Sequence, residues 1–183
     1  MSLFKNFPRL FQYIALITFL TSSVSFSQGK KYPVNVSLWY NSLSLNKSDK
    51  DTATFNLSLF QTNLGSIQGV GIGVAYTVTQ NDIKGVNFNG GITRIKGNLT
   101  GLSLSGLGNG TNGMINGLQI GGLANMGRNK LFGGQISGVF NYLVEDMKGF
   151  QMSLVVNIAS SNIKGLQIGN SNIIGENLEG AQI

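Results

Sequence analysis

Seven glycines recur at one spacing: Gly69, Gly85, Gly101, Gly117, Gly133, Gly149 and Gly165, each 16 residues beyond the one before. A unit this short cannot enclose a core by itself, so its copies must stack and bury a shared interior. That constraint fixes the architecture before any local propensity is consulted. It says nothing about chemistry, because repetition describes a scaffold.

With the glycine as position 1, position 2 carries Val70, Val86, Leu102, Leu118, Gly134, Phe150 and Leu166. Position 4 is apolar throughout, from Ile72 and Phe88 to Met152 and Ile168. Position 3 settles into glutamine, as Gln119, Gln135, Gln151 and Gln167, and position 5 is small or polar. Apolar, polar, apolar, small is the two-residue period of a strand with one face buried. Position 9 is asparagine in four consecutive copies, Asn109, Asn125, Asn141 and Asn157, and position 15 is apolar from Ile83 to Ile163. Gly, Asn, Lys and Asp fill the intervals, as turns require. A further copy opens at Gly180, one residue early, with Ala181, Gln182 and Ile183.

These columns predict a β-solenoid of 16-residue coils. Each coil lies about 4.8 Å above the last, so seven stand roughly 34 Å tall. Equivalent positions then stack, and amides in one column can hydrogen-bond from coil to coil. Asn109, Asn125, Asn141, Asn157 and the four glutamines are therefore expected to form structural ladders. Glycine at position 1 suits a repeat corner with positive φ. With positions 15, 2 and 4 taken as inward, the chain must bend between 16 and 2, and the glutamines form a flat outward amide surface. The rival is an antiparallel repeat sheet, open or closed into a β-barrel, with one or two strands per copy. Antiparallel strands would not align the Asn and Gln columns, which favours the solenoid.

Residues 1–27 read as a secretory signal peptide: Lys5 and Arg9 open it, an apolar run follows, and Ser25-Phe26-Ser27 sets small residues before a cleavage at Gln28. The apolar run is shorter than the roughly 20 residues of a membrane span. The chain has no cysteine, so disulfides, thiolate metal sites and a lipoprotein anchor are all excluded. Without Lys5 and Arg9, 11 basic residues face 7 acidic ones, a net of +4. The bases are scattered and not interleaved with aromatics, so nucleic acid is not an expected partner.

Residues 28–68 alternate like strands but lack the repeat, and are read as an N-terminal β cap over the first coil of the 69–183 stack. The sequence stops within a copy at Ile183, so an open C-terminal edge through which chains self-associate is one expectation and truncation relative to longer relatives is the other.

Gly117-Leu-Gln-Ile-Gly-Gly-Leu-Ala-Asn125, Gly133-Gly-Gln-Ile-Ser-Gly-Val-Phe-Asn141 and Gly149-Phe-Gln-Met-Ser-Leu-Val-Val-Asn157 repeat one nonamer in register. Together with Lys164-Gly165-Leu166-Gln167-Ile168-Gly169, it resembles the surface repeat proteins of Leptospira and of Bacteroidota, which iterate a KGLQIGLVN-like motif. The resemblance covers about 69–183. It implies an exported, surface-associated protein and brings no biochemical activity with it. Some relatives are lipoproteins; this chain, without cysteine, would be held at the envelope in another way or released.

Little else suggests chemistry. Histidine is absent, which removes the commonest general base. Glu145-Asp146 is the sole adjacent carboxylate pair and falls in an expected turn, where nothing would separate their pKa values. Asp49 and Asp51 flank Lys50 in a polar loop without the ligand spacing of an EF-hand. Gly108-Asn-Gly110-Thr-Asn-Gly113 matches GxGxxG, but no helix follows it, and it reads as a product of glycine richness. Thr77-Val78-Thr79 is not continued as a threonine array in later copies.

Positions 7 and 8 are both apolar in the middle copies, as in Leu123-Ala124 and Val139-Phe140. Either one row points outward, as a stripe for a partner or a membrane, or the chain bends at Gly106, Gly122 and Gly138; the bend is the reading adopted. The expectation for the whole is an exported, non-enzymatic surface or envelope repeat protein. It would serve as a scaffold or binding module for an envelope or host surface component, without cofactor or metal. The alternative is an outer-membrane β-barrel protein.

Overall fold

The computed structural model describes residues 29–39 and 48–183. The expected signal peptide over 1–27 lies outside them, as do residues 40–47. Seventeen strands and no helix make up the described residues. After β1 (Lys31–Trp39) and β2 (Thr52–Leu64), long and short strands alternate. The long ones are β3 (Ser66–Gly73), β5 (Ile83–Asn89), β7 (Leu99–Ser105), β9 (Ile115–Gly121), β11 (Leu131–Ser137), β13 (Met147–Ser153), β15 (Ile163–Ile168) and β17 (Leu178–Gln182). The short ones are β4 (Tyr76–Thr79), β6 (Ile92–Ile95), β8 (Gly108–Thr111), β10 (Ala124–Gly127), β12 (Phe140–Leu143), β14 (Val156–Ala159) and β16 (Ser171–Ile174).

Every pairing is parallel, long strand on long strand and short on short. The chain is a β-solenoid of about eight turns, and the antiparallel-sheet and barrel alternatives fall away. From β3 to β15 partners are offset by 16 residues, as in Gly117↔Gly133 and Asn125↔Asn141. The last coil is shorter, with Val156↔Ser171 and Gly165↔Gly180, because the turn after Gly169 lacks one residue. β1 and β2, within the segment expected as a cap, stack in parallel as rungs on β3. β1 lies in parallel on the first half of β2, whose second half, Gln61–Leu64, begins the short ladder against β4.

Burial corrects the expected facing. Position 15 points inward, and Ile67, Ile83, Leu99, Ile115, Leu131, Met147 and Ile163 form one apolar column, joined by Leu64, Ile95 and Leu143. Burying each such side chain contributes about 1.5–3 kcal/mol. Positions 2 and 4, however, face outward. The inward partners of position 15 along the long strand are positions 3 and 5. The positive-φ glycine at position 1 interrupts the alternation between positions 15 and 3, and in β7 and β13 positions 16, 1 and 2 are all unburied. Gln119, Gln135, Gln151 and Gln167, expected on the surface, are completely buried. The turn at positions 6 and 7 does not fold its apolar residues inward either: Leu107, Leu123, Val139 and Val155 are exposed. The chain does bend there, at Gly106, Gly122 and Gly138 as expected, but the position-7 residues stay on the outside of the bend.

Candidate functional site

The interior beside the short strands is polar, and its amides are joined in hydrogen-bonded columns, while Thr79, Asn87, Ser137 and Ser153 each leave one buried oxygen without a partner. Asn125 Nδ2 donates to Asn141 Oδ1 (2.9 Å) and to the Ile136 carbonyl (2.7 Å), while Asn125 Oδ1 accepts from Asn109 Nδ2 (2.9 Å). Asn141 and Asn157 repeat both donations, to Asn157 and Met152 and to Asn172 and Ile168 respectively. Each asparagine thus ties its short strand to the next asparagine and to the long strand of the following coil. Buried amides satisfied in this way escape the cost of lost hydration.

The glutamines form the second ladder. Gln135 donates to Gln119 (2.9 Å), Gln151 to Gln135 (2.8 Å), Gln167 to Gln151 (2.8 Å) and Gln182 to Gln167 (2.7 Å). Gln119 ends the run on Thr111 Oγ1 at 2.7 Å. Asparagines donate toward later coils and glutamines toward earlier ones, so the two rows of amide dipoles run antiparallel and oppose each other. Before Asn109 the columns hold Thr77, Thr93, Asn87 and Ser103. There a mixed network replaces the ladders, with Asn87 Nδ2 on Thr93 Oγ1 (2.9 Å) and Ser103 Oγ on Asn109 Oδ1 (2.7 Å).

The position-1 glycines make this stacking possible. From Gly69 to Gly180 all have φ between 121° and 151°, a region that L-residues rarely occupy. A Cβ on Gly133 would run into the carbonyl oxygen of Gly117 in the coil before it. The column therefore brings backbone against backbone.

Outside, polarity is segregated by edge. In 69–183 every charged side chain except Arg94 falls at positions 12–16, along one edge of the stack. Lys130–Asp146 (3.1 Å) and Lys164–Glu179 (2.7 Å) pair there. Asp146 also accepts from Asn162 and Ser161; these hydrogen bonds, Asn162's first, and Lys130 hold its carboxyl down at about 2. Glu145 and Asp146 thus lie on this solvated edge.

Next to that edge, the outward face of the long strands is apolar. Positions 2 and 4 stack into two outward columns that begin at Val34/Val36 and Phe55/Leu57 and continue through Val70/Ile72 and Leu118/Ile120 to Leu166/Ile168. Leu123, Val139, Leu154 and Val155 extend this surface around the turn, Leu154 being 79% exposed.

One depression interrupts the short-strand face. At positions 8 and 10 the neighbouring coils carry Ile92 and Arg94 on one side and Ala124 and Met126 on the other, but the coil between them has Gly108 and Gly110. The resulting cleft has a volume of about 580 Å³. Sequence reasoning misses it, because Gly108 and Gly110 read there only as a sign of glycine richness. Comparison of each with its column neighbours would expose the notch. Among the described residues, no group of three or more Asp or Glu is placed to hold a metal ion. No family model, no curated protein and no solved structure matches this chain.

Proposed function

We propose that this chain is an exported, non-enzymatic surface or envelope protein that acts as a scaffold or binding module through its outward apolar columns. The observation that carries the reading is the continuity of those columns from Val34 to Ile168 in the parallel register. Soluble monomers rarely leave apolar patches larger than a few hundred Å² uncovered, whereas an amphipathic stack suits apposition to an apolar surface with its charged edge in water. The secretory-type N-terminal sequence and the recurring nonamer support placement at the envelope. The partner is an envelope or host surface component that presents an apolar surface, a membrane included.

Producing the full chain in a Gram-negative host tests this. The reading expects a processed protein beginning at Gln28 that fractionates with the envelope and sediments with phosphatidylethanolamine/phosphatidylglycerol vesicles. Phe88→Ser with Met152→Ser, on the outward columns, should weaken that sedimentation without changing the melting temperature by more than a few degrees. An unprocessed cytosolic chain, or an exported one with no affinity for vesicles or envelope, would refute it.

A further inference from the structure

We infer that the cleft over Gly108 and Gly110 is a binding site for an amphipathic anion, an aliphatic chain ending in a carboxylate. Its walls are Tyr76, Ile92, Leu107, Leu123, Met126 and Phe140, and its floor is backbone because the two glycines supply no side chain. Its volume of about 580 Å³ lies inside the range of about 300–1,000 Å³ common for small-molecule sites. An apolar trough of this shape takes a chain, not a sugar or a nucleotide.

The head group follows from charge. Arg94 and Arg128 are the only arginines among the described residues, and both line this cleft. Neither guanidinium is in an ion pair with a described residue, and the lining holds no carboxylate. Arg94 is also the single charged side chain of 69–183 that leaves the charged edge. It stands in register with Gly110, which is in register with Met126, two residues before Arg128. Two rungs up and two residues along put the Cα atoms about 12 Å apart, within the joint reach of two arginine side chains. Guanidinium groups bind carboxylates through paired, charge-assisted hydrogen bonds. Two unpaired ones beside an apolar trough, with no acid to neutralise them, complement an anion whose tail is buried alongside.

The site is independent of the envelope reading, since binding is measured on the purified chain wherever that chain resides. Titration calorimetry with dodecanoate below its micellar concentration is the test, with dodecan-1-ol as the uncharged probe. One dodecanoate per chain is expected. Gly110→Leu should abolish binding of both probes, because a side chain in that column fills the trough. A Cβ on Gly110 has nothing within 4 Å and the residue has no positive φ, so this variant should melt like the parent. Arg94→Gln with Arg128→Gln should weaken dodecanoate at least tenfold and leave dodecan-1-ol unchanged, a readout that holds even if Gly110→Leu does not fold. Binding undiminished in Gly110→Leu, several dodecanoates per chain adsorbed on the outward columns, or equal losses of both probes in the arginine variant would each overturn the assignment.

Discussion

Replacing Asn125 by alanine opens the asparagine ladder at its centre. Four hydrogen bonds vanish: Asn109 Nδ2 loses the acceptor at 2.9 Å, Asn141 Oδ1 loses the donor at 2.9 Å, the Ile136 carbonyl loses the donor at 2.7 Å, and a long contact to the Gln119 carbonyl at 3.5 Å goes too. Asn109 retains its bond to the Ile120 carbonyl, so it is left with one orphan N–H and not two. Asn109, Asn125 and Asn141 are at most 4% exposed, so water does not readily replace what is lost. At about 1–3 kcal/mol per buried unsatisfied group, two amide groups and a carbonyl put the cost at about 3–6 kcal/mol. Asn125→Asp separates polarity from shape. Its Oδ1 still accepts from Asn109, but the second oxygen now faces Asn141 Oδ1 and the Ile136 carbonyl, both acceptors. Burial among acceptors raises the folded-state pKa, so the carboxyl is tolerated protonated. Its stability is then fully present below the unfolded value of about 3.9 and lost as pH rises through the raised folded value. Urea unfolding followed by circular dichroism at pH 7 and pH 4 reads both effects. The aspartate variant should recover toward the parent at pH 4 while the alanine variant stays displaced by the same amount. An alanine variant within about 1 kcal/mol of the parent, the net worth of a single hydrogen bond, would show that the ladder is not the sealed interior described. So would an aspartate variant that tracks alanine at both pH values.

Gly133→Ala, with φ at +134° and the Gly117 carbonyl in the way, should prevent cooperative folding, whereas Gly110→Ala should leave the thermal midpoint within a few degrees; calorimetric scans distinguish them. Met147→Ala, fully buried in the apolar column, should cost about 2–5 kcal/mol in urea titration. The Asp146 carboxyl, held down at about 2 by Asn162, Lys130 and Ser161, contributes stability that is present above its unfolded pKa of about 3.9 and disappears as pH falls toward 2. Asp146→Asn should therefore flatten the acid limb of the melting-temperature profile between pH 4 and pH 2.

The stacking is legible in the sequence because one residue type returning at a fixed spacing demands a fixed environment at each return, and stacked coils supply it. The Gly117, Asn125 and Gln119 columns each come back in register. The facing of the strand is not legible in the same way. Hydrophobicity places Val70 and Ile72 inside, since a strand between water and core normally buries its apolar side. Here the parity is set by position 15, and the residues in step with it are Gln119 and Ser105, not Leu118 and Leu104. Amides tolerate the interior because each finds its copy one rung away, a long-range relation that local periodicity does not contain. A subtler signal is present. The Asn and Gln columns hold one residue type over four copies, as a ladder demands, while position 2 wanders among Val, Leu, Gly and Phe, as a surface allows. The cleft escapes notice for a related reason. A missing side chain becomes a cavity only when the neighbours above and below, Ile92 and Ala124 or Arg94 and Met126, are known to be adjacent.

The opposed amide rows also set the step in which such a chain can change height. An inserted copy of one whole coil meets Asn with Asn and Gln with Gln on both sides, and no donor anywhere is stranded. A one-residue difference within a long strand is absorbed at the glycine position: β2 has Thr54 alone where β3 has Gln68 and Gly69, and Asn56 still meets Gly71 in the buried column. The chain carries a second illustration: the one residue lost after Gly169 falls in a turn, and Asn157 still meets Asn172 at 2.8 Å. Growth by duplication is thus quantised in units of 16 residues, with small corrections admitted at the turns and beside the position-1 glycine, and copy number can drift between related chains while each rung stays as it is.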